Sequence, residues 1–156
     1  MRVAVLCDIH GNLPALDAVL DEVRDIGVDR IVVGGDVLPG PMPRETMARL
    51  LELETSRQFI YGNGDLAILA QLQAASPSEV TYWGTSSGAP LPEPYGQLFR
   101  WTAQQVQAYQ DVLASWPLTT TADIDGLGKV LFCHATPRNE VEIFTRLTPE
   151  ERLAPV

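Results

Sequence analysis

The sequence predicts an α/β fold in which a parallel sheet carries helices packed against it. Two observations predict this. Short, nearly continuous apolar runs alternate with stretches whose apolar residues recur at helical spacing. Each of the first three apolar runs ends in a loop that places glycine beside Asp or Asn.

The elements follow in order. Val3 to Cys7 is an apolar run that fits a strand covered on both faces. After the loop Asp8-Ile9-His10-Gly11-Asn12, Pro14 sits where a first helical turn tolerates it. Leu16, Val19, Leu20, Val23 and Ile26 then mark a helical face, and Gly27 is a natural stop. Arg30 to Val33 reads as a second buried strand ending at Gly34-Gly35-Asp36. A proline-rich loop leads into a helix through Met47, Leu50 and Leu51. Gln58 to Tyr61 is a third strand, closed by Gly62-Asn63-Gly64-Asp65, and Leu66, Leu69 and Leu72 share the next helical face.

Residues 76–97 break this rhythm with Ser, Pro and Gly, and read either as an insertion or lid or as a plain surface loop. Thr102 and Gln105 suggest a capping box for a following helix, continued by Val106, Tyr109, Leu113 and Trp116. Leu118 to Ile124 and Lys129 to Cys133 read as a hairpin around Asp125-Gly126-Leu127-Gly128. Thr148-Pro149-Glu150-Glu151 is a strong helix start only a few residues before Val156. That placement leads us to expect a natural protein that continues, so residues 1–156 read as one domain, incomplete at its C-terminus.

Composition narrows the function. The 156 residues are 46% hydrophobic, enough for a globular core. No apolar run approaches the roughly 18 residues of a membrane helix, and the first residues do not form a signal peptide, so a cytoplasmic protein without membrane contact is expected. The net charge is -9 and the 11 basic residues are scattered, which argues against tight nucleic-acid binding and leaves room for a small phosphorylated substrate. The two cysteines, Cys7 and Cys133, do not suggest a disulfide framework and read as small buried residues near strand ends.

Asp8, Asp36, Asn63 and His134 each lie at or just past a predicted strand's carboxyl end, with His10 two residues after Asp8. That edge of an open α/β sheet is where ligands bind. Two carboxylates, an amide oxygen and two imidazoles suit divalent ions such as Mn, Fe, Zn or Ni. A carboxylate can bridge two such ions, and Asp36 is the candidate. Asp65 reads as a helix cap, Asn12 as either a cap or a phosphate contact, and Arg138 as either a phosphate partner or a solvated loop charge.

The ordered series Asp8-Ile9-His10, Gly35-Asp36, Gly62-Asn63 and a strand-terminal His134 resembles the calcineurin-like metallophosphoesterases. The run Cys7-Asp8-Ile9-His10-Gly11-Asn12 is similar to their compact bacterial and archaeal branch, which includes small phosphodiesterases. The resemblance implies an αββα sandwich holding two divalent metal ions. Asp8 and His10 would bind one ion, Asn63 and His134 the other, and Asp36 both. It also implies hydrolysis of phosphate esters by a hydroxide held on the metals.

Two positions depart from the family pattern. Gly64 stands where a leaving-group acid, usually His, follows the Asn, which favours diesters over monoesters. The closing Gly-His-x-His motif is absent, so the chain reads as either a fragment or a compromised enzyme. A non-catalytic interaction scaffold on the same fold is the alternative. An aspartyl-phosphate phosphatase is excluded, because His10 occupies the place of its second Asp.

Overall fold

The computed structural model describes residues 1–74 and 93–154. Strands β1 (Val3–Leu6), β2 (Arg30–Gly34) and β3 (Arg57–Ile60) form a parallel sheet in the order β1–β2–β3. Helices α1 (Leu13–Ile26) and α2 (Pro43–Leu51) connect them, and α3 (Asn63–Gln73) follows β3. Helix α4 (Tyr95–Val106), a 3-10 turn (Gln107–Tyr109) and α5 (Gln110–Ala114) lead to an antiparallel hairpin of β4 (Thr119–Ile124) and β5 (Gly128–Cys133), and the short α6 spans Glu150–Leu153.

The central sheet has two unlike faces. Ile31 and Val33 of β2 join one hydrophobic cluster with Leu16, Leu20, Met47, Leu50, Ile68 and Phe99 from the helices. Phe59 of β3 stacks on Trp116, with ring centroids 4.9 Å apart. Strand alternation puts Val32 on the opposite face. It is fully buried there, where β5 touches β2 and β4 touches β3. Val5, paired with Val32 in register, shares that face but is 48% exposed. The hairpin therefore covers β2 and β3 and leaves β1 open.

Two departures from sequence expectation concern exposure. Helix α1 buries Leu16, Leu20 and Val23, while Val19 and Ile26 lie outside its contact face and are exposed. Cys7, expected to be buried, is exposed, and Cys133 is partly buried.

Other boundaries also differ. Thr102 caps nothing: α4 already begins at Tyr95, so the proposed loop's residues 93–97 turn into a helix, and Thr102 is buried in its interior. The remainder of that loop lies outside the described residues. Helix α3 buries Gly64, Asp65, Ala67 and Ile68, while Leu69 and Leu72 pack against the core only partly buried. The last helix starts at Glu150 after Pro149, while the Thr148 hydroxyl accepts the N–H of Thr145 instead of capping it. No described helix is long and apolar enough to cross a membrane.

Candidate metal centre

The three βα loops converge at the carboxyl edge of the parallel sheet through backbone bonds. Asp8 N–H donates to Gly35 O at 3.1 Å, His10 N–H to Asp36 O at 3.0 Å, and Gly11 N–H to Val37 O at 2.9 Å. Glycines make this approach possible. A Cβ on Gly35 would lie 2.6 Å from Gly62 N, and one on Gly11 would lie 2.9 Å from Gly40 C. Such distances require the backbone to move.

Three residues in these loops have left-handed backbones that side chains rarely adopt: Asp8 (φ 53°), His10 (φ 47°) and Asp36 (φ 52°). Non-glycine residues in that region cost about 1–3 kcal/mol each and cluster at functional sites. Here all three belong to one cluster, with one ligand-capable atom from each within 4.8 Å of the others.

The five residues singled out from sequence form a continuous chain of neighbours. His10 Nε2 lies 3.9 Å from Asp8 Oδ1 and 3.5 Å from Asp36 Oδ2. On the other side of the same carboxylate, Asp36 Oδ1 lies 3.6 Å from His134 Nε2, which is 3.2 Å from Asn63 Oδ1. Asp36 thus sits in the middle, one oxygen facing each half. It is 4% exposed, whereas the Asp8 side chain is 63% exposed. Burial raises the pKa of Asp36, opposed by the N–H of Gly64, which donates to Oδ1 at 2.7 Å.

Both imidazoles are oriented by backbone carbonyls. His10 Nδ1 lies 3.2 Å from Pro39 O, and His134 Nδ1 lies 3.0 Å from Gly34 O. A carbonyl only accepts, so each Nδ1 carries a proton and directs Nε2, the nitrogen available to a metal, toward the cluster. Carbonyl partners of this kind fix the tautomer of metal-ligating histidines. His134 Nε2, Asn63 Oδ1 and Asp36 Oδ1 thus converge within reach of one another, three donor atoms suited to a cation.

Asp65 carries more than its sequence position suggested. It does cap α3, accepting Gly62 N–H at 3.0 Å, and its other oxygen accepts Leu38 N–H at 3.0 Å. One buried carboxylate thereby ties the loop after β3 to the loop after β2. Burial raises its pKa to about 7, helped by the charge of Asp36 and opposed by the backbone N–H bonds. The second tie could not be read from sequence, since Leu38 and Asp65 are distant along the chain.

Three other positions are engaged locally. Asn12 caps α1, accepting Ala15 N–H at 3.2 Å. The Arg138 guanidinium donates to both oxygens of Glu142, at 2.9 and 2.5 Å, and to Arg152 O. A side chain at position 64 would overlap the carbonyl oxygen of Leu38, so the loop as built has no room for an acid in place of Gly64.

Asp8, Asn63 and His134 line a cavity of about 540 Å³ whose opposite wall is Glu140 to Phe144. Sequence reading assigned nothing to that wall, since no spacing links it to the strand-end motifs.

Known proteins resemble the chain over nearly its whole length. The family model described as calcineurin-like phosphoesterase matches residues 1–154. The uncharacterized protein MJ0912 of Methanocaldococcus jannaschii is 30% identical over 151 residues, covering 95% of this chain and 54% of that protein. The hypothetical protein PH1004 of Pyrococcus horikoshii shares the fold with a TM-score of 0.78 at 20% identity, over 97% of this chain and 62% of that one. A metallophosphoesterase from Sphaerobacter thermophilus superposes with a TM-score of 0.62 at 29% identity, over 93% of this chain and 51% of that one. The chain thus spans about half the length of the curated relative it matches. With the model match running through all five strand-end residues, the chain belongs to the calcineurin-like phosphoesterase family.

Proposed function

We propose that the protein is a metal-dependent phosphoesterase that hydrolyses phosphodiesters in preference to monoesters. The observation that carries the reading is the unbroken chain from Asp8 through His10, Asp36 and His134 to Asn63. The donor set fits divalent ions: mixed carboxylate, amide and imidazole ligands suit Mn, Fe, Zn or Ni better than soft thiolate metals. Asp8 and His10 would hold one ion and Asn63 and His134 a second, with the two oxygens of Asp36 shared between them. The chemistry such ions supply is activation of water near neutral pH and neutralisation of charge on phosphate oxygens.

The chain's own residues prepare the site. Pro39 and Gly34 carbonyls hold both imidazoles with Nε2 inward. Gly64 N–H steadies Asp36, and Asp65 braces the two loops that carry Asp36 and Asn63. Gly64 offers no proton to a leaving group, and a general acid is typically worth about 10²–10⁴-fold. An ester whose leaving group departs as a stable anion needs that help least, which favours activated diesters.

The test is hydrolysis of bis(p-nitrophenyl) phosphate against an alkyl phosphate monoester, with manganese and with chelator. Chelator-sensitive cleavage of the diester, at least about tenfold faster than the monoester, is expected. The second reading, a non-catalytic scaffold, is favoured by the presence of only two histidines in these 156 residues. Protein that loads manganese and cleaves neither ester supports the scaffold instead.

A further inference from the structure

The cavity beside the metal centre has an unusual lining for a phosphate site. None of its nine lining residues is Lys or Arg. Arg138, two residues before Glu140, has its guanidinium committed to Glu142 and to Arg152 O. Glu140 and Glu142 both line the cavity instead. The described lining thus offers no cation to a charged group beyond the phosphate, and the charge of Glu142 is itself paired with Arg138.

The same wall offers apolar surface. Ile143 and Phe144 are 83% and 53% exposed and line the cavity that Asp8, Asn63 and His134 line from the other side. Binding pockets commonly combine a few convergent polar groups with aromatic or aliphatic walls that hold the rest of the ligand. We infer that the cavity selects a phosphodiester bearing an aromatic substituent, with Phe144 as the main specificity-determining contact for that ring and Ile143 beside it. This rests on the phosphoesterase reading, because it places the phosphate at the metal end of the cavity.

Calorimetric titration of the manganese-loaded protein tests it with diphenyl phosphate and dimethyl phosphate, which carry the same charge on the same diester centre. Diphenyl phosphate is expected to bind about tenfold tighter, the effect of one good aromatic contact with its apolar burial. Phe144→Ala should bring the two diesters to within about threefold, and Phe144→Tyr should retain the preference, with manganese affinity unchanged in both. Equal binding of the two diesters by wild type, or a preference that survives Phe144→Ala, overturns the inference and leaves the phosphoesterase reading standing. Selective binding without hydrolysis overturns the catalytic reading alone. Failure to bind manganese overturns both.

Discussion

The two faces of the central sheet differ in how completely they are built. The helix face is a closed core in which Ile31, Val33, Met47, Leu50, Ala67 and Ile68 are essentially inaccessible. Among the described residues, the opposite face carries the β4–β5 hairpin, whose one buried apolar residue is Ala122, while Leu127 and Leu131 are exposed. A two-stranded hairpin is marginal by itself and depends on what it packs against. The difference bears on the site. Asp8, His10, Asp36 and Asn63 are set by loops rooted in the closed core, whereas His134 arrives from the sparsely covered hairpin. It is fixed there through its bond to Gly34 O, the innermost strand's last carbonyl. Four of the five residues are thus carried by loops rooted in the core, and the fifth, His134, is held by a few polar contacts.

The sharpest way to break that comparison is to damage the closed face. Leu50 has no exposure, so Leu50→Ala is expected to cost about 2–5 kcal/mol, read as a lower urea midpoint. A loss below 1 kcal/mol would mean the helix face is not the main source of stability. Next comes the brace between loops. Asp65→Ala leaves Leu38 N–H and Gly62 N–H buried without an acceptor, at about 1–3 kcal/mol. Hydrogen exchange at Leu38 should accelerate along with the stability loss; protection unchanged at Leu38 would show that the carboxylate does not hold that loop. The smallest effect belongs to the hairpin. Leu131 is 48% exposed, and Leu131→Ala is expected to change stability by less than about 0.5 kcal/mol. A loss comparable to that of Leu50→Ala would show that the hairpin face is as tightly built as the helix face.

Much of this was legible in the chain because the signals are local. The apolar runs Val3 to Cys7, Arg30 to Val33 and Gln58 to Tyr61 announced buried parallel strands, each within a residue of its observed bounds, and the polar residues after them marked the ligand edge. What was not legible depends on contacts between distant segments. Val19 fits the helical period of Leu16 and Leu20 but falls beside the open edge of β1. Thr102 and Gln105 have a capping pattern, yet packing of α4 against α2 and α3 extends the helix back to Tyr95. The smallness of Gly62 and Gly64 is required by Asp36 and Leu38 pressing on them from another loop, which no local pattern shows. The wall from Glu140 to Phe144 has no periodicity to read at all, and only the fold brings it opposite Asn63.

The central claim is that Asp36 joins the two halves of a metal centre, and the most direct measurement is the shift in melting temperature that manganese causes in wild type and in Asp36→Asn. A ligand at about 100 times its Kd stabilises by about 2.7 kcal/mol, roughly 5–10 °C for a chain of this size. Asn keeps an acceptor for the Gly64 N–H and removes a charge that burial disfavours, so the metal-free variant should melt no lower than wild type. The account predicts that wild type shifts by that amount and that Asp36→Asn loses most of the shift. Equal shifts in the two proteins would contradict it.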